Sequence, residues 1–101
     1  MKVEREEKHN RGAFYVELDG HWAAEMAYGI SGNQMIIYHT EVSDALQGKH
    51  IGVQLVTAGV EYARENHFKI VPLCPFAKAI IDKTEAFQDV LAPGYLNNKH
   101  A

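Results

Sequence analysis

A glycine-containing turn between an apolar strand and a helix is the part of this sequence best suited to chemistry. The strand covers residues 36–42, and the turn that follows, residues 46–52, reads LQGKHIG. A turn that leads a strand into a helix N-terminus gathers several backbone N–H groups without intrahelical acceptors around one point. The helix dipole favours an anion there by about 0.3–1 kcal/mol, and Lys49 adds a mobile positive charge. The turn therefore predicts an anion site, most often for a phosphate, although an ordinary strand-to-helix connection could have the same sequence.

Strands are predicted first along the chain, upstream of this turn. Residues 13–18 and 21–30 read as two strands joined by Asp19-Gly20, a hairpin signal because both turn positions can take positive φ. Residues 34–39 form a third strand, whose apolar centre predicts burial on both faces. In the second strand, alternation predicts one shared face for Trp22, Ala24, Met26, Tyr28 and Ile30.

A helix, a strand and a shorter helix are predicted downstream of the turn. The first helix covers about residues 49–66, and residues 68–73 form a fourth strand. Because a helix separates this strand from the third, we expect the two strands to be adjacent and parallel. A second helix begins at a proline and covers residues 75–83. One or two further turns are predicted at residues 85–91, and residues 95–101 are expected to form a frayed tail.

A stripe with two glycines should hold the first helix against the sheet. The stripe, at spacings of three and four residues, consists of Gly52, Leu55, Val56, Gly59 and Ala63. A glycine inside a helix costs about 1 kcal/mol relative to alanine, so close approach to the sheet or to a ligand is expected at both Gly52 and Gly59.

Together the elements predict an α/β (α+β) fold. It consists of an antiparallel three-strand meander followed by a helix, a fourth strand parallel to the third, and a C-terminal helix.

Composition and charge limit the class of protein. The length of 101 residues predicts one domain over residues 1–101. The single cysteine excludes an intrachain disulfide and indicates a reducing compartment, and the net charge is −3. The charge gives no basic footprint for nucleic acid, and no apolar run approaches the ~20 residues of a membrane span. Residues 1–11 are charged and contain no secretory signal, and no spacing of ligand residues suits zinc. We therefore expect a cytoplasmic protein without metal, either a monomer or a weak homodimer.

The chain resembles the GNAT acetyltransferase superfamily over residues 14–91, and it is similar in particular to the short, minimal GNAT-like subfamily. Three segments carry the resemblance: residues 39–42 (HTEV), residues 47–52 (QGKHIG) and residues 72–76 (PLCPF). The turn alone is a weak signal, whereas its combination with PLCPF at this distance is fairly specific. The resemblance implies the minimal GNAT fold for the elements predicted above.

The resemblance also implies that acetyl-CoA binds, with its pyrophosphate on the turn. The GNAT pyrophosphate loop has the pattern Gln/Arg-x-x-Gly-x-Gly/Ala; Gln47 fills the first position and Gly52 the last, but His50 stands where the central glycine is usual. Glycine there lets the backbone approach phosphate without a Cβ. His50 therefore either adds a charge-assisted hydrogen bond to a phosphate or is a tolerated, solvent-facing side chain. The residues implied for the cofactor are Val42, Gln47, Gly48, Lys49, His50, Ile51, Gly52 and Val53.

Candidates for acetyl transfer to an amine follow from the same resemblance. In GNAT proteins the sheet opens at the strand before the loop, where a backbone N–H contacts the acetyl oxygen; Val42 or its neighbour matches that residue. His39 and Glu41 share a face, and either could act as a general base, directly or through water. A packed histidine and a solvated carboxylate are the alternatives. Cys74 could protonate the leaving thiolate, accept the acetyl group, or only fill space in the core. Because its strand ends where the sheet should open around the acetyl group, we expect Cys74 to be within reach of the thioester and partly accessible.

The predicted function remains open between two classes. The chain is implied to be an acetyl-CoA-binding N-acetyltransferase whose acceptor is an unidentified amine of a small molecule, protein or peptide. The alternative is a non-catalytic acyl-CoA-binding or interaction module, favoured by His50 and by Ile81, which stands where many GNAT enzymes have a tyrosine acid. The N-terminal helices that shape the acceptor site of longer GNAT proteins have no counterpart, so we expect a shallow, open groove. Trp22, Tyr28 and Tyr38 are predicted core or sheet-face aromatics, one of which could line that groove.

Overall fold

A five-stranded sheet with the strand order β1-β2-β3-β4-β5 forms the frame of the molecule. The computed structural model describes residues 2–95. The first four strands are antiparallel, and β5 is parallel to β4, as the sequence predicts. The strands are β1 (Glu4–Lys8), β2 (Arg11–Leu18), β3 (His21–Ser31), β4 (Gln34–Val42) and β5 (Lys69–Pro72); the α-helices are α1 (Ile51–Glu65) and α2 (Pro75–Asp82).

Strand β1 corrects the prediction of a meander that begins with residues 13–18. Its sequence, EREEK, lacks the alternation of a half-buried strand, so its formation depends on tertiary contacts. Arg5 donates a hydrogen bond to the Tyr28 hydroxyl (2.9 Å), and that hydroxyl donates to Glu7 (2.7 Å). The Arg5 guanidinium also lies over the ring of Tyr62 in α1, 4.3 Å from its centroid. These contacts fasten a charged strand to the edge of the sheet, and burial raises the pKa of Tyr28 well above its ordinary value.

The hairpin between β2 and β3 has the predicted turn, but a bulge changes the face of Trp22. Asp19 and Gly20 both take positive φ, 53° and 83°. The register then shifts, because Val16 pairs with Ala24 whereas the next residue, Glu17, pairs with Trp22. A β-bulge adds one residue to a strand and reverses the alternation beyond it. The predicted common face for Trp22 and Met26 is therefore wrong: Met26 is fully buried, whereas Trp22 is 39% exposed and stacks on Tyr15 with ring centroids 4.2 Å apart.

A second bulge lies in β4 and affects the predicted burial of this strand. Tyr28 pairs with Ile37 and Ala27 with His39, which leaves Tyr38 without a partner in the register. Ile37 is fully buried, whereas Tyr38 is 37% exposed and its ring covers Gly29. The prediction that both faces of this strand are buried is wrong, because Met35 and Ile37 are fully buried whereas Ile36 and Tyr38, which alternate with them, are partly exposed.

Helix α1 packs on the sheet through the predicted stripe, and the stripe residues are buried. A Cβ at Gly59 would lie 2.7 Å from Cε of Met26, so the helix approaches the sheet closely there, as predicted. At Gly52 the close neighbour is instead Phe76 of α2, whose Cζ would lie 2.5 Å from an added Cβ. The two glycines therefore serve different contacts, one with the sheet and one with the second helix.

Short 3-10 turns complete the described chain: Asp44–Leu46 lies between β4 and α1, whereas Glu85–Val90 and Pro93–Tyr95 follow α2. The frayed tail predicted for residues 95–101 lies outside the described residues except for Tyr95. Among residues 2–95, no helix is both long and apolar enough to cross a membrane. The same residues contain no group of three or more His, Cys, Asp or Glu side chains placed to hold a metal ion.

Candidate functional site

The sheet opens between β4 and β5, beside the predicted turn. Pairing of these parallel strands ends at Ile37 and Pro72. The N–H groups of Leu73 and Cys74 then both donate to the carbonyl of Ile37 (3.0 and 3.1 Å), and the chain turns into α2. Strand β4 continues alone on that side as far as Val42. The last part of β4 therefore has an edge that β5 does not cover.

The backbone at the end of β4 is directed into this opening. The Ser43 N–H donates to the carbonyl of Ala23 in β3 (2.8 Å), so Ser43 points its backbone groups toward β3. Because successive residues of a strand point their backbone groups to opposite sides, those of Val42 point away from β3. The Val42 carbonyl accepts a hydrogen bond from Nε2 of Gln47 (3.0 Å), which links the strand end to the turn.

The turn before α1 bends through two residues with left-handed backbones. Gly48 has φ 80°, and His50, the N-cap of α1, has φ 59° and ψ 27°. A left-handed conformation is common for glycine and costs a residue with a Cβ about 1–2 kcal/mol. This is the physical reason why a glycine suits the position that His50 occupies. The His50 side chain makes no capping hydrogen bond and is exposed.

Backbone donors at the start of α1 face away from the helix. The first intrahelical hydrogen bond runs from the Gln54 N–H to the carbonyl of His50 (3.1 Å). The N–H groups of Ile51, Gly52 and Val53 precede that bond and have no intrahelical acceptor. Together with the turn they form a concave set of donors at the positive end of a fifteen-residue helix.

A cavity of about 450 Å³ lies where these donors meet the opening in the sheet. All of the residues predicted for the cofactor line it except Lys49. Thr40, Leu46 and Phe76 line it as well and were not predicted as site residues. The signal for Phe76 was the PLCPF segment, whereas nothing local in the sequence marks Thr40 or Leu46. The complete lining is Thr40, Val42, Leu46, Gln47, Gly48, His50, Ile51, Gly52, Val53 and Phe76.

Cys74 lies behind the cavity wall. The thiol is buried, with the residue 4% exposed, and it donates a hydrogen bond to Oγ1 of Thr40 at 3.5 Å. The expectation that Cys74 is partly accessible is therefore wrong, because the residue serves as the N-cap of α2 and its side chain turns into the core. Ile81 is also fully buried in that core, so it presents no group to the cavity.

His39 and Glu41 lie together on the open face of the sheet, as their spacing predicts. Nε2 of His39 is 3.8 Å from a carboxylate oxygen of Glu41 and 3.8 Å from one of Glu25 in β3. Glu25 is directly opposite Glu41 in the register and was not predicted as a site residue. Neither His39 nor Glu41 lines the cavity at the start of α1. The two residues therefore lie on the face of β4 opposite to Thr40 and Val42, which do line it.

Comparison with known proteins agrees with this architecture. Residues 13–90 match the model of the GCN5-related N-acetyl-transferase family. The solution structure of a GCN5-like candidate N-acetyltransferase from Staphylococcus aureus is 35% identical, with a TM-score of 0.69, over 96% of this chain and 92% of that one. The comparison with curated proteins gives no match.

More distant structures share the fold. The ribosomal-protein-alanine N-acetyltransferase from Brucella melitensis biovar Abortus 2308 is 17% identical with a TM-score of 0.59, over 84% of this chain and 67% of that one. An aminoglycoside acetyltransferase from an uncultured soil sample is 18% identical with a TM-score of 0.58, over 90% of this chain and 62% of that one. The family match spans most of the sequence, including β4, the turn and α1. The chain therefore belongs to the GCN5-related N-acetyltransferase family.

Proposed function

We propose that this protein binds acetyl-CoA in the cavity at the start of α1 and transfers the acetyl group to an amine. The observation that carries the proposal is the coincidence of three features in one cavity. These are the open edge of β4, the left-handed turn at Gly48 and His50, and the unpaired N–H groups at the N-terminus of α1. Family membership supports the same reaction class.

The residues of this cavity suit the chemical parts of acetyl-CoA. The N–H groups from Gly48 to Val53 would hold the pyrophosphate, for which concave backbone donors at a helix N-terminus are the usual site. Phe76 and Ile51 give the same cavity apolar walls. The backbone of Val42, directed into the opening, would be positioned to donate a hydrogen bond to the acetyl oxygen.

We assign the removal of the amine proton to Glu41 or His39 on the open face of the sheet. Acetyl transfer forms a carbon–nitrogen bond as a carbon–sulfur bond breaks, while one proton leaves the nitrogen and the leaving thiolate takes up one. Glu41 and His39 are exposed and 3.8 Å apart, so either can accept the proton from an amine that approaches from this face. Cys74 is the weaker candidate, because a nucleophile has to reach the acetyl carbon and this thiol is buried.

A non-catalytic acyl-CoA-binding module is the second candidate function. Two observations favour it: the Cys74 thiol donates its hydrogen bond to Oγ1 of Thr40 within the wall, and Ile81 is buried. No side chain of the cavity lining, within the described residues, is an ordinary proton donor to a thiolate apart from His50 and the Thr40 hydroxyl. In this case acetyl-CoA would bind without turnover.

Thermal unfolding with acetyl-CoA tests the binding step. Ligand at 100 times its dissociation constant stabilises a folded protein by about 2.7 kcal/mol, which corresponds to a rise in Tm of roughly 10–20 °C for a domain of this size. Gly48→Asp should abolish that rise, because it places a carboxylate beside the phosphate donors. Gly32→Asp is the matched control, since Gly32 also has a positive φ (59°, against 80° at Gly48) and open space around its Cα. An unchanged Tm for the native chain at saturating acetyl-CoA would refute the proposal.

Release of CoA thiol in the presence of alkylamines separates the two candidate functions. An acetyltransferase should release thiol in proportion to the acetylated amine detected by mass spectrometry, and the double variant His39→Gln/Glu41→Gln should lose most of that rate while keeping the thermal shift. A binding module should show the full thermal shift with no acetylated amine.

A further inference from the structure

The bulge in β4 decides which side chains of that strand face the cavity. Ile37, just before the bulge, is fully buried in the core, and strict alternation from it would place His39 on the same face. The extra residue, Tyr38, reverses the alternation. Thr40 therefore pairs with the fully buried Met26 and lines the cavity. A hydroxyl thus occupies the face that regular alternation would give to an ionisable side chain.

The Thr40 side chain lies beside the point where β4 and β5 separate. Their pairing ends at Ile37 and Pro72, shortly before Thr40 along β4. The Cys74 N–H donates to the carbonyl of Ile37 (3.1 Å), and its thiol donates to Oγ1 of Thr40 (3.5 Å). His50, by contrast, belongs to the turn at the start of α1. The two side chains of the lining that could donate to a thiolate therefore belong to different parts of the cavity wall.

The hydrogen of the Thr40 hydroxyl is free to face the cavity. A hydroxyl accepts hydrogen bonds at its oxygen while it donates its one hydrogen to another group. Oγ1 of Thr40 accepts from the Cys74 thiol, and within residues 2–95 it has no further hydrogen bond. The amide of Gln47, which also lines the cavity, already donates to the Val42 carbonyl. Thr40 therefore supplies an uncommitted side-chain donor next to the opening in the sheet.

We propose that Thr40 donates this hydrogen bond to the sulfur of CoA and is a catalytic residue for acetyl transfer. The role rests on the proposed function, in which the Val42 backbone contacts the acetyl oxygen. The sulfur is bonded to the acetyl carbon, and Thr40 is two residues from Val42 on the same face of β4. The hydroxyl would thus supply the leaving group with a donor, which the buried Ile81 cannot do.

The hydrogen bond acts on the charge that develops at sulfur. As the carbon–sulfur bond breaks, its electron pair goes to the sulfur, and a hydrogen bond to a charged acceptor is about twice as strong as one to a neutral acceptor. Thr40 keeps its proton throughout, and the thiolate takes up a proton from water after it has left. Thr40 therefore stabilises the leaving group without acting as an acid.

Calorimetry with CoA and with desulfo-CoA, which lacks the thiol, measures this hydrogen bond without turnover. If Thr40 stabilises the thiolate, the pKa of the thiol falls when CoA binds, and the affinity for CoA then rises with pH. We expect the ratio of the CoA affinity to the desulfo-CoA affinity to rise about tenfold between about pH 6.5 and pH 9.5. His50 is the one titratable side chain in the described lining, and its effect on phosphate binding is common to both ligands and cancels in the ratio.

Three variants assign the effect to the hydroxyl. Thr40→Val keeps the shape of the side chain without the hydroxyl, so the rise should fall below about twofold, whereas Thr40→Ser should retain most of it. Thr84→Val is the matched control, because the Thr84 hydroxyl donates to the carbonyl of Ile80 (2.7 Å) and does not line the cavity. In a transfer assay Thr40→Val should lower kcat about tenfold with little change in KM, since the bond strengthens only as charge develops.

The outcomes separate this role from the proposed function. A pH-independent ratio for the native chain, or an equal rise in the native chain and in Thr40→Val, would overturn the role of Thr40. Acetyl-CoA binding and the proposed function would stand in both cases. Circular dichroism shows whether Thr40→Val is folded, and Thr40→Ala provides a second variant without the hydroxyl. If neither CoA nor desulfo-CoA binds, the proposed function is refuted and the role of Thr40 with it.

Discussion

The thiol of Cys74 donates a hydrogen bond to Oγ1 of Thr40 across 3.5 Å, which joins the start of α2 to β4 just beyond the point where β4 and β5 separate. Thr40 faces the cavity, whereas Cys74 lies behind it. The pair therefore connects the two sides of the opening and holds its inner wall.

Replacing Cys74 by alanine should lower stability more than activity. The variant loses a buried sulfur and its hydrogen bond, so we expect a decrease of about 1–2 kcal/mol in the free energy of unfolding. Acetyl-CoA binding and the rate of acetyl transfer should stay within about threefold, because the thiol does not reach the cavity. Urea unfolding and a thiol-release assay measure the two quantities. A loss of transfer by more than a hundredfold in a folded Cys74→Ala variant would instead assign the chemistry to Cys74.

Replacing His50 by glycine should stabilise the fold, since His50 is held at φ 59°. Relief of the left-handed strain should contribute about 1 kcal/mol to the free energy of unfolding. His67 also has a positive φ (60°) and follows α1 at its other end, so His67→Gly is a matched control with a similar gain. Only His50→Gly should alter the dissociation constant of acetyl-CoA, measured by calorimetry. Equal affinities for both variants would show that the His50 imidazole does not contact the ligand.

Replacing Gly52 by alanine should weaken acetyl-CoA binding through Phe76. An added Cβ would lie 2.5 Å from Cζ of Phe76, so the ring has to move within the cavity wall. We expect a loss of affinity of about tenfold, with a smaller effect on stability because Phe76 is 43% exposed. In the double variant Gly52→Ala/Phe76→Leu the clash is removed, and calorimetry should show part of the affinity restored. If the double variant binds no better than Gly52→Ala, the steric explanation is wrong.

The ion pair between Arg64 and Asp89 should make a small contribution to stability that acid removes. Arg64 donates two hydrogen bonds to the carboxylate of Asp89 (2.9 and 2.6 Å). These bonds are the main reason why the pKa of Asp89 lies below its ordinary value of 3.8. A group whose folded pKa is depressed stabilises the fold above its unfolded pKa and loses that effect as the pH falls through the folded pKa. Because the side chain is 55% exposed, the contribution is at most about 1 kcal/mol.

Urea unfolding of the native chain and of Asp89→Asn measures this contribution. The difference between the two should be present at pH 7 and should decrease toward zero between pH 4 and pH 2. The ion pair of Lys78 and Asp82 (2.6 Å) is not a suitable comparison, because Oδ1 of Asp82 is buried without a hydrogen-bond partner among the described residues. A difference that stays constant down to pH 2 would contradict the assignment to the Asp89 carboxylate.

Local patterns were sufficient for most of the elements. Asp19-Gly20 predicts a two-residue turn because few other residues take positive φ at both positions, and the structure has that turn. The stripe on α1 predicts its buried face for a similar reason, since the helical period fixes which residues share a face. The bulges at Ala23 in β3 and at Tyr38 in β4 could not be predicted, because either neighbouring residue can be the extra one and the choice depends on how the strands pack.

The sequence by itself determined the family, the order of helices and strands after residue 13, and the glycine-containing turn before α1, since these depend on residues close together in the chain. Only the tertiary structure decided that β1 joins the sheet, that Cys74 is buried, and that Glu25 stands opposite Glu41. Each of these depends on contacts between residues far apart in the chain. Burial and pairing across such distances follow from the packing of the whole sheet against α1 and α2, which no local pattern records.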